Sequence, residues 1–291
     1  MTRLFCFGFG YCAGALARRL ASRGWAIAGT SRSADGAQRI SAQGFTGYVF
    51  DGKSASAEIL TALKQATHLL VSVAPEAAGD PVLTVLAGEL RTAKQWRWAG
   101  YLSTIGVYGD SNGAWVDEDT PPMPRQDRSI RRLQAERAWL DLGAATGRNV
   151  QVHRLAGIYG PGRNQLVNLR DGTAQRIVKP GQVFNRIHVD DIAQVLDAGI
   201  DRGRPGRIYN LTDDEPAAPD EVLVYAAALL GRQPPNPVAF ANAILSPMAA
   251  TFYADNRRVR NGRLRQELGV QLLFPTYRQG LSALAGELIT T

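Results

Sequence analysis

Through the first hundred residues, short apolar runs alternate with longer stretches whose apolar positions recur at helical spacing. The runs RLFCFG, WAIAGTS, TGYVFD, HLLVSVA and WAGYLST read as strands, and the stretches between them as amphipathic crossover helices. This alternation is expected of a parallel sheet. Between the first two strands Ala13, Leu16, Ala17 and Leu20 keep one helical face, and Gly24 is a suitable residue just past a helix end, which completes one βαβ unit.

The second half is less regular. It opens on the strand NVQVHRLAGIYG, breaks at GPGRN, and continues through VFNRIHV, a helix from about Asp190, the strand RIYNL and a helix from about Asp220. A proline-rich stretch, RQPPNPV, precedes terminal helices. Parts of this half are expected to form a small, non-contiguous lobe over the carboxyl ends of the strands, where open α/β sheets bind ligands.

Composition narrows this picture. With 291 residues, 45 % hydrophobic and 20 % charged, the chain can bury one sizeable core or a main domain with a smaller appendage, and global disorder is excluded. The net charge of +7 is carried by 29 arginines and four lysines, dispersed without a run of five or more, so no nucleic-acid partner is expected. Cys6 and Cys12 flank an expected strand end, a poor geometry for a disulfide, and lack the further ligands a metal needs. No metal is expected. Neither a signal core nor a long apolar span is present, so a cytoplasmic protein without membrane contact is the expectation.

One segment carries its charge in a pattern that asks for a partner. In DRSIRRLQAERAW, residues 127–139, Arg128, Arg132, Ala135 and Trp139 share one helix face. Two guanidiniums one turn apart cost a few tenths of a kcal/mol. Either that face is solvated or something anionic lies against it.

The chemistry starts at CFGFGYCAGALARRL. Gly8, Gly10 and Ala13 form a G-x-G-x-x-A pattern between a strand and a helix. Gly8 allows the tight turn, Gly10 lets backbone approach a pyrophosphate, and Ala13 permits close helix packing; with Phe9 and Tyr11 they are the expected dinucleotide cradle. The second strand ends GTSRS, with Thr30, Ser31 and Arg32 and no carboxylate before Asp35. Two hydroxyls and a guanidinium suit a 2′-phosphate better than a ribose diol, so NADP(H) is expected over NAD(H).

The stretches YLSTIGVYGD, WVDEDTPP, HRLAGIYGPGRN, RIHVDDIA and IYNLTDDEP, in that order, resemble the extended short-chain dehydrogenases/reductases, the NAD(P)-dependent epimerase/dehydratase family, over about residues 3–215. The resemblance implies an α/β fold of the Rossmann type, a doubly wound parallel sheet with a small carboxyl-terminal substrate lobe. Residues 1–160 would form the dinucleotide-binding domain, and 161–291 mostly the lobe, with some elements returning to the sheet. It also implies hydride chemistry on a small-molecule hydroxyl or carbonyl, and leaves a homodimer open. Matching V-Y-G places Thr104, beside Ser103, where the family's hydroxyl holds the substrate oxygen. Asp51 would lie near the adenine, and Ser72, Val73 and Ala74 under the cofactor. His188 falls in a structural turn before a helix capped by Asp190 or Asp191, and the charged groups of WVDEDTPP read as a loop.

The chain departs from the family at one point. Aligning LQAE with the family's Ala-Glu puts Arg128 and Arg132 where Tyr-x-x-x-Lys belongs. Arg132 retains the positive charge and is expected to hold the nicotinamide ribose, while the fork of Arg128 suits a carboxylate or phosphate. A guanidinium, with pKa above about 12, cannot trade a proton near neutrality as an activated phenol can. Tyr108 and Tyr159 are alternative acids, although the family's tyrosines at these positions are structural. Arg163 and Arg186 are expected to face the substrate cleft and favour an anion such as a nucleotide sugar or a carboxylate. Two functions stay open. One is an NADP-dependent oxidoreductase or epimerase in which Thr104 acts with an unidentified acid or ordered water; the other is a dinucleotide sensor or regulatory protein that has lost the chemistry.

Overall fold

A computed structural model describes residues 1–289. Strands β1 (Arg3–Phe7), β2 (Ala26–Ser31), β3 (Thr46–Val49), β4 (His68–Val71) and β5 (Trp98–Thr104) fall on the five apolar runs. Helices α1 (Tyr11–Ala21), α2 (Ala34–Ser41), α3 (Ala57–Gln65) and α4 (Pro81–Thr92) connect them. A short 3₁₀ turn follows β5 at Ile105–Tyr108, then β6 (Trp115–Val116), α5 (Asp127–Thr146) and β7 (Asn149–Leu155). The second half adds β8 (Gly157–Tyr159), α6 (Gln165–Arg170), β9 (Arg176–Val178), β10 (Arg186–His188), α7 (Val189–Arg202) and β11 (Ile208–Leu211). The last elements are α8 (Pro219–Leu229), β12 (Pro237–Ala239), α9 (Pro247–Tyr253), β13 (Arg258–Val259), α10 (Gly262–Gln266) and α11 (Tyr277–Ile289).

The central sheet has seven strands in the order β11-β7-β5-β4-β1-β2-β3, and every neighbouring pair runs parallel. The chain winds one way from β1 to β3 and the other way from β4 outward, which opens a crevice at the carboxyl ends of β1 and β4. Side chains alternate along β1 as a two-residue period requires. Leu4 and Cys6 join the core under α1 and α7, whereas Phe5 and Phe7 join the opposite core with Ile59, Leu86 and Trp139. The sheet is therefore covered on both faces.

From the second half, β11 extends this sheet beside β7, and α7 packs along α1. The smaller elements pair as β10–β8, β12–β9 and β13–β6, and a separate apolar cluster of Leu166, Val222, Tyr277 and Leu281 ties α6, α8 and α11 together. Among the described residues no helix is long and apolar enough to cross a membrane, and no group of three or more His, Cys, Asp or Glu is placed to hold a metal. Cys6 and Cys12 are buried and unpaired.

Two local readings are corrected. Helix α7 is capped by the His188 ring, whose Nδ1 accepts the Asp190 N–H at 3.2 Å, not by Asp190 or Asp191. Asp191 is drawn inward instead, accepting the N–H groups of Leu273 and Phe274 at 2.6 and 3.1 Å. WVDEDTPP is more than a loop: it contains β6, and Glu118 accepts the Asn210 N–H at 2.9 Å.

Candidate active site

The loop between β1 and α1 is fastened from both sides. Gly8 has φ +83°, and a Cβ there would stand 2.8 Å from Ser72 Oγ and 3.2 Å from Val73 N, so no larger residue fits. Its N–H donates to Thr30 Oγ1 at 2.9 Å, and its carbonyl accepts the Ser72 hydroxyl at 2.5 Å. The Phe9 N–H donates to Thr30 O at 2.8 Å. Thr30 is thus 1 % exposed and spends its hydroxyl on the loop, which corrects its expected place at the phosphate. Phe9 packs over Gly29 and against Phe45, and Ala13, in the first turn of α1, is wholly buried.

Gly10 caps α1 without a side chain to offer the first-turn N–H groups, and a Cβ on it would meet nothing within 4 Å. Free N–H groups facing open space suit a pyrophosphate, so the dinucleotide that the fold implies fits this cradle. The Tyr11 hydroxyl donates to Pro161 O at 2.9 Å, linking the cradle to GPGRN, and burial pushes its phenol up to about 12.

At the end of β2, Ser31 is half-buried, its carbonyl accepting the Phe50 N–H at 2.8 Å, and Arg32 is exposed, its guanidinium without a hydrogen bond or ion pair among the described residues. Gly36, in the first turn of α2, leaves the room Ser31 Oγ takes: a Cβ there would lie 1.8 Å from it. Asp51 stands exposed beyond β3, its carboxylate accepting the Lys53 N–H at 2.9 Å, which holds it below the ordinary carboxyl range. Val73 lies against Gly8, and Ala74 is exposed.

A groove of about 310 Å³ beside Gly10, Tyr11 and Ser72 runs into a cleft of about 780 Å³ between the sheet and the smaller elements. They share Thr104, Arg132, Leu155, Ala156, Ile158 and Arg163. Thr104 Oγ1 accepts the Gly106 N–H at 3.1 Å, so its own proton is left to donate. Arg132 donates to Leu102 O at 2.6 Å and lies 5.7 Å over the Tyr101 ring. Arg128 borders only the cleft, where its guanidinium sits 4.6 Å over Phe252 of α9 and its Nε donates to Gln126 Oε1 at 3.1 Å. Ala135 and Trp139 are buried, so this helix face turns inward and its two arginines diverge at the cleft.

The Ser103 hydroxyl donates to Glu136, which corrects its expected place at the substrate oxygen. Glu136 in turn holds Arg154, whose Nε reaches both carboxylate oxygens at 3.1 and 3.3 Å and whose Nη2 reaches one at 2.8 Å. This wholly buried pair, overlooked in the sequence, lies behind the Thr104 strand end. Its members are remote in the sequence, and they meet because β5 pairs with β7, setting Ser103 opposite Arg154, while α5 packs on both strands and delivers Glu136.

Of the alternative acids, Tyr108 donates to Asn210 Oδ1 at 2.8 Å and is structural. Tyr159 borders the cleft but not the groove, and burial pushes its phenol well above the usual range. Arg163 is exposed without a side-chain partner among the described residues. Arg186 donates to Phe184 O and Ala217 O at 2.9 and 3.2 Å, and burial pulls its guanidinium below the usual value. The cleft's one carboxylate among the described residues, Asp255, is paired with Arg257 at 2.6 Å. Among the described residues Arg128, Arg132, Arg163 and Arg186 have no carboxylate within 4 Å, and the cleft is cationic.

Residues 8–212 match the model of the NAD dependent epimerase/dehydratase family. The chain is 27 % identical over 285 residues to Protein YeeZ of Escherichia coli (strain K12), covering 94 % of this chain and 97 % of that protein. It is 48 % identical to a solved structure of a conserved protein of unknown function from Silicibacter pomeroyi DSS, with a TM-score of 0.89 and 99 % of each chain covered. A dTDP-glucose 4,6-dehydratase from Bacillus anthracis str. Ames, solved in complex with NAD, shares the fold at 17 % identity, with a TM-score of 0.78 over 100 % of this chain and 97 % of that one.

Proposed function

The chain belongs to the NAD dependent epimerase/dehydratase family, and on that basis we propose that it is an NADP(H)-dependent oxidoreductase acting on a small anionic substrate. Membership supplies the coarse statement, NAD(P)-linked oxidoreductase-like chemistry. The cofactor preference rests on the end of β2, where Ser31 and an unpartnered Arg32 stand without a neighbouring strand-end carboxylate. A guanidinium and a hydroxyl answer the charge of a 2′-phosphate, whereas a ribose diol is usually held by a carboxylate acceptor.

In this reading Gly8, Gly10 and the start of α1 hold the pyrophosphate, and Ser31 and Arg32 the 2′-phosphate. The bound dinucleotide supplies or accepts hydride. Thr104 donates its free proton in a hydrogen bond to the substrate oxygen and orients it. Arg132 holds the nicotinamide ribose, and Arg163 and Arg186 draw the anion into the cleft. The proton that the oxygen finally takes or gives comes from ordered water or an acid outside the shared wall, whose polar side chains are one hydroxyl and two guanidiniums. A cytoplasmic location, which two unpaired thiols suit, belongs to the same reading, as does the absence of a nucleic-acid partner; a homodimer stays open.

Calorimetric titration tests the proposal: NADPH is expected to bind more tightly than NADH, and equal affinities refute it. A second reading, a dinucleotide sensor without turnover, is favoured by Arg128 and Arg132 standing in place of a Tyr/Lys pair. Tight NADPH binding without hydride transfer to 2-oxo acids, aldehydes or nucleotide sugars would select it.

A further inference from the structure

Resting on the reading of an NADP(H) site with an anionic substrate, we infer that the substrate's anionic group lies at the reacting end of the cleft. The substrate is then a carboxylate bearing a carbonyl or hydroxyl on the adjacent carbon, not a nucleotide sugar. The shared wall of groove and cleft carries the argument. Its polar side chains are Thr104, Arg132 and Arg163, and all three are donors; the others, Leu155, Ala156 and Ile158, are apolar. Among the described residues the Arg163 side chain has no partner, and Arg132 has one carbonyl and no carboxylate. Arg154 and Arg207 do reach carboxylates, and so does Arg257 deeper in the same cleft.

A nucleotide sugar carries its charges on the diphosphate, several bonds from the sugar carbons, and would present a neutral ring to these guanidiniums. Arg163 would then be left without an anion beside a desolvating ligand, and Arg132 without a charge partner, which is unfavourable. A carboxylate offers coplanar lone pairs that match a guanidinium fork. With its acceptor capacity partly taken by the Gly106 N–H, Thr104 turns its proton to the oxygen on the neighbouring carbon. The remainder of the cleft, with Arg186 in its wall, leaves room for a tail.

The probe is oxalate, a non-reacting mimic of a 2-oxo carboxylate, titrated calorimetrically into the full chain loaded with NADP⁺, with UDP-glucose in a parallel titration. Loading is measured first; a chain that fails to take NADP⁺ overturns the proposed function and this inference with it. Given loading, oxalate is expected to bind saturably, to weaken about tenfold or more in Arg163→Gln, and not to be displaced by UDP-glucose. Arg163 is exposed and unpartnered, so this variant keeps its fold. Arg132→Gln, with folding checked by circular dichroism and NADP⁺ saturation re-established for the variant, is expected to weaken oxalate similarly. No oxalate binding to the loaded chain, equal binding by Arg163→Gln, or displacement by UDP-glucose overturns this inference and leaves the cofactor assignment standing.

Discussion

Replacing Glu136 by alanine should cost more stability than any other single truncation near the site. Glu136 and Arg154 are 1 % and 2 % exposed, and the carboxylate accepts three guanidinium contacts between 2.8 and 3.3 Å besides the Ser103 hydroxyl. Its removal leaves a buried cation whose Nη1 already has no partner, and a buried hydroxyl without an acceptor. The Tyr108 ring, 4.8 Å from the guanidinium, recovers only a part. Breaking a buried pair from one side costs about 3–5 kcal/mol, against a total stability of about 5–15 kcal/mol. At about 2.1 cal/mol/K per residue, the unfolding entropy of this chain is about 0.6 kcal/mol/K, so Tm should fall by about 5–8 °C. Circular-dichroism melts and urea titrations of Glu136→Ala measure this. The double variant Glu136→Leu, Arg154→Met, which removes both charges and keeps volume, should return to near the parent. A loss below about 1 kcal/mol in the single variant, or a double variant as weak as the single, would show that the pair carries little of the strand end's stability.

Gly10→Val should melt like the parent, because φ is −97° and a Cβ there meets nothing within 4 Å, yet lose dinucleotide binding in a fluorescence titration; retained affinity would reduce the loop to a turn. Arg32→Ala should narrow the NADPH-over-NADH preference by about 1.5–3 kcal/mol, the worth of a charge-assisted bond, and an unchanged ratio counts against the assignment. Burial pulls His68 to about 4 and His153 to about 3, below the ordinary value of about 6.5. The unfolded chain then binds more protons below pH about 6.5, so stability is full above that pH. It should fall as pH drops toward the folded values, by up to about 1.4 kcal/mol per pH unit for each histidine. Urea titrations between pH 7.5 and 4.5 check the slope, which His153→Phe should make shallower; an identical slope would exclude a contribution from that ring.

Much of this architecture is written locally. Strands β1 to β5 and helix α1 follow from apolar spacing, because burial on a period of two or 3.6 residues needs no knowledge of neighbours. Gly8 and Gly10 are equally legible, since a left-handed turn and an open helix start are backbone properties of the residues themselves. Partner choice is another matter. Thr30 reads as a phosphate ligand until Gly8 is laid against it, and Ser103 as a substrate ligand until α5 delivers Glu136. His188 takes the capping role from Asp190 and Asp191 because a segment near Leu273 competes for Asp191. Helical spacing alone sets Arg128 and Arg132 on one face. Phe252 of α9 draws the first outward, and the Leu102 carbonyl holds the second at the meeting of groove and cleft. Hydrogen bonds and ion pairs act over a few ångströms, and residues remote in the chain come that close only when sheet order and helix packing place them there.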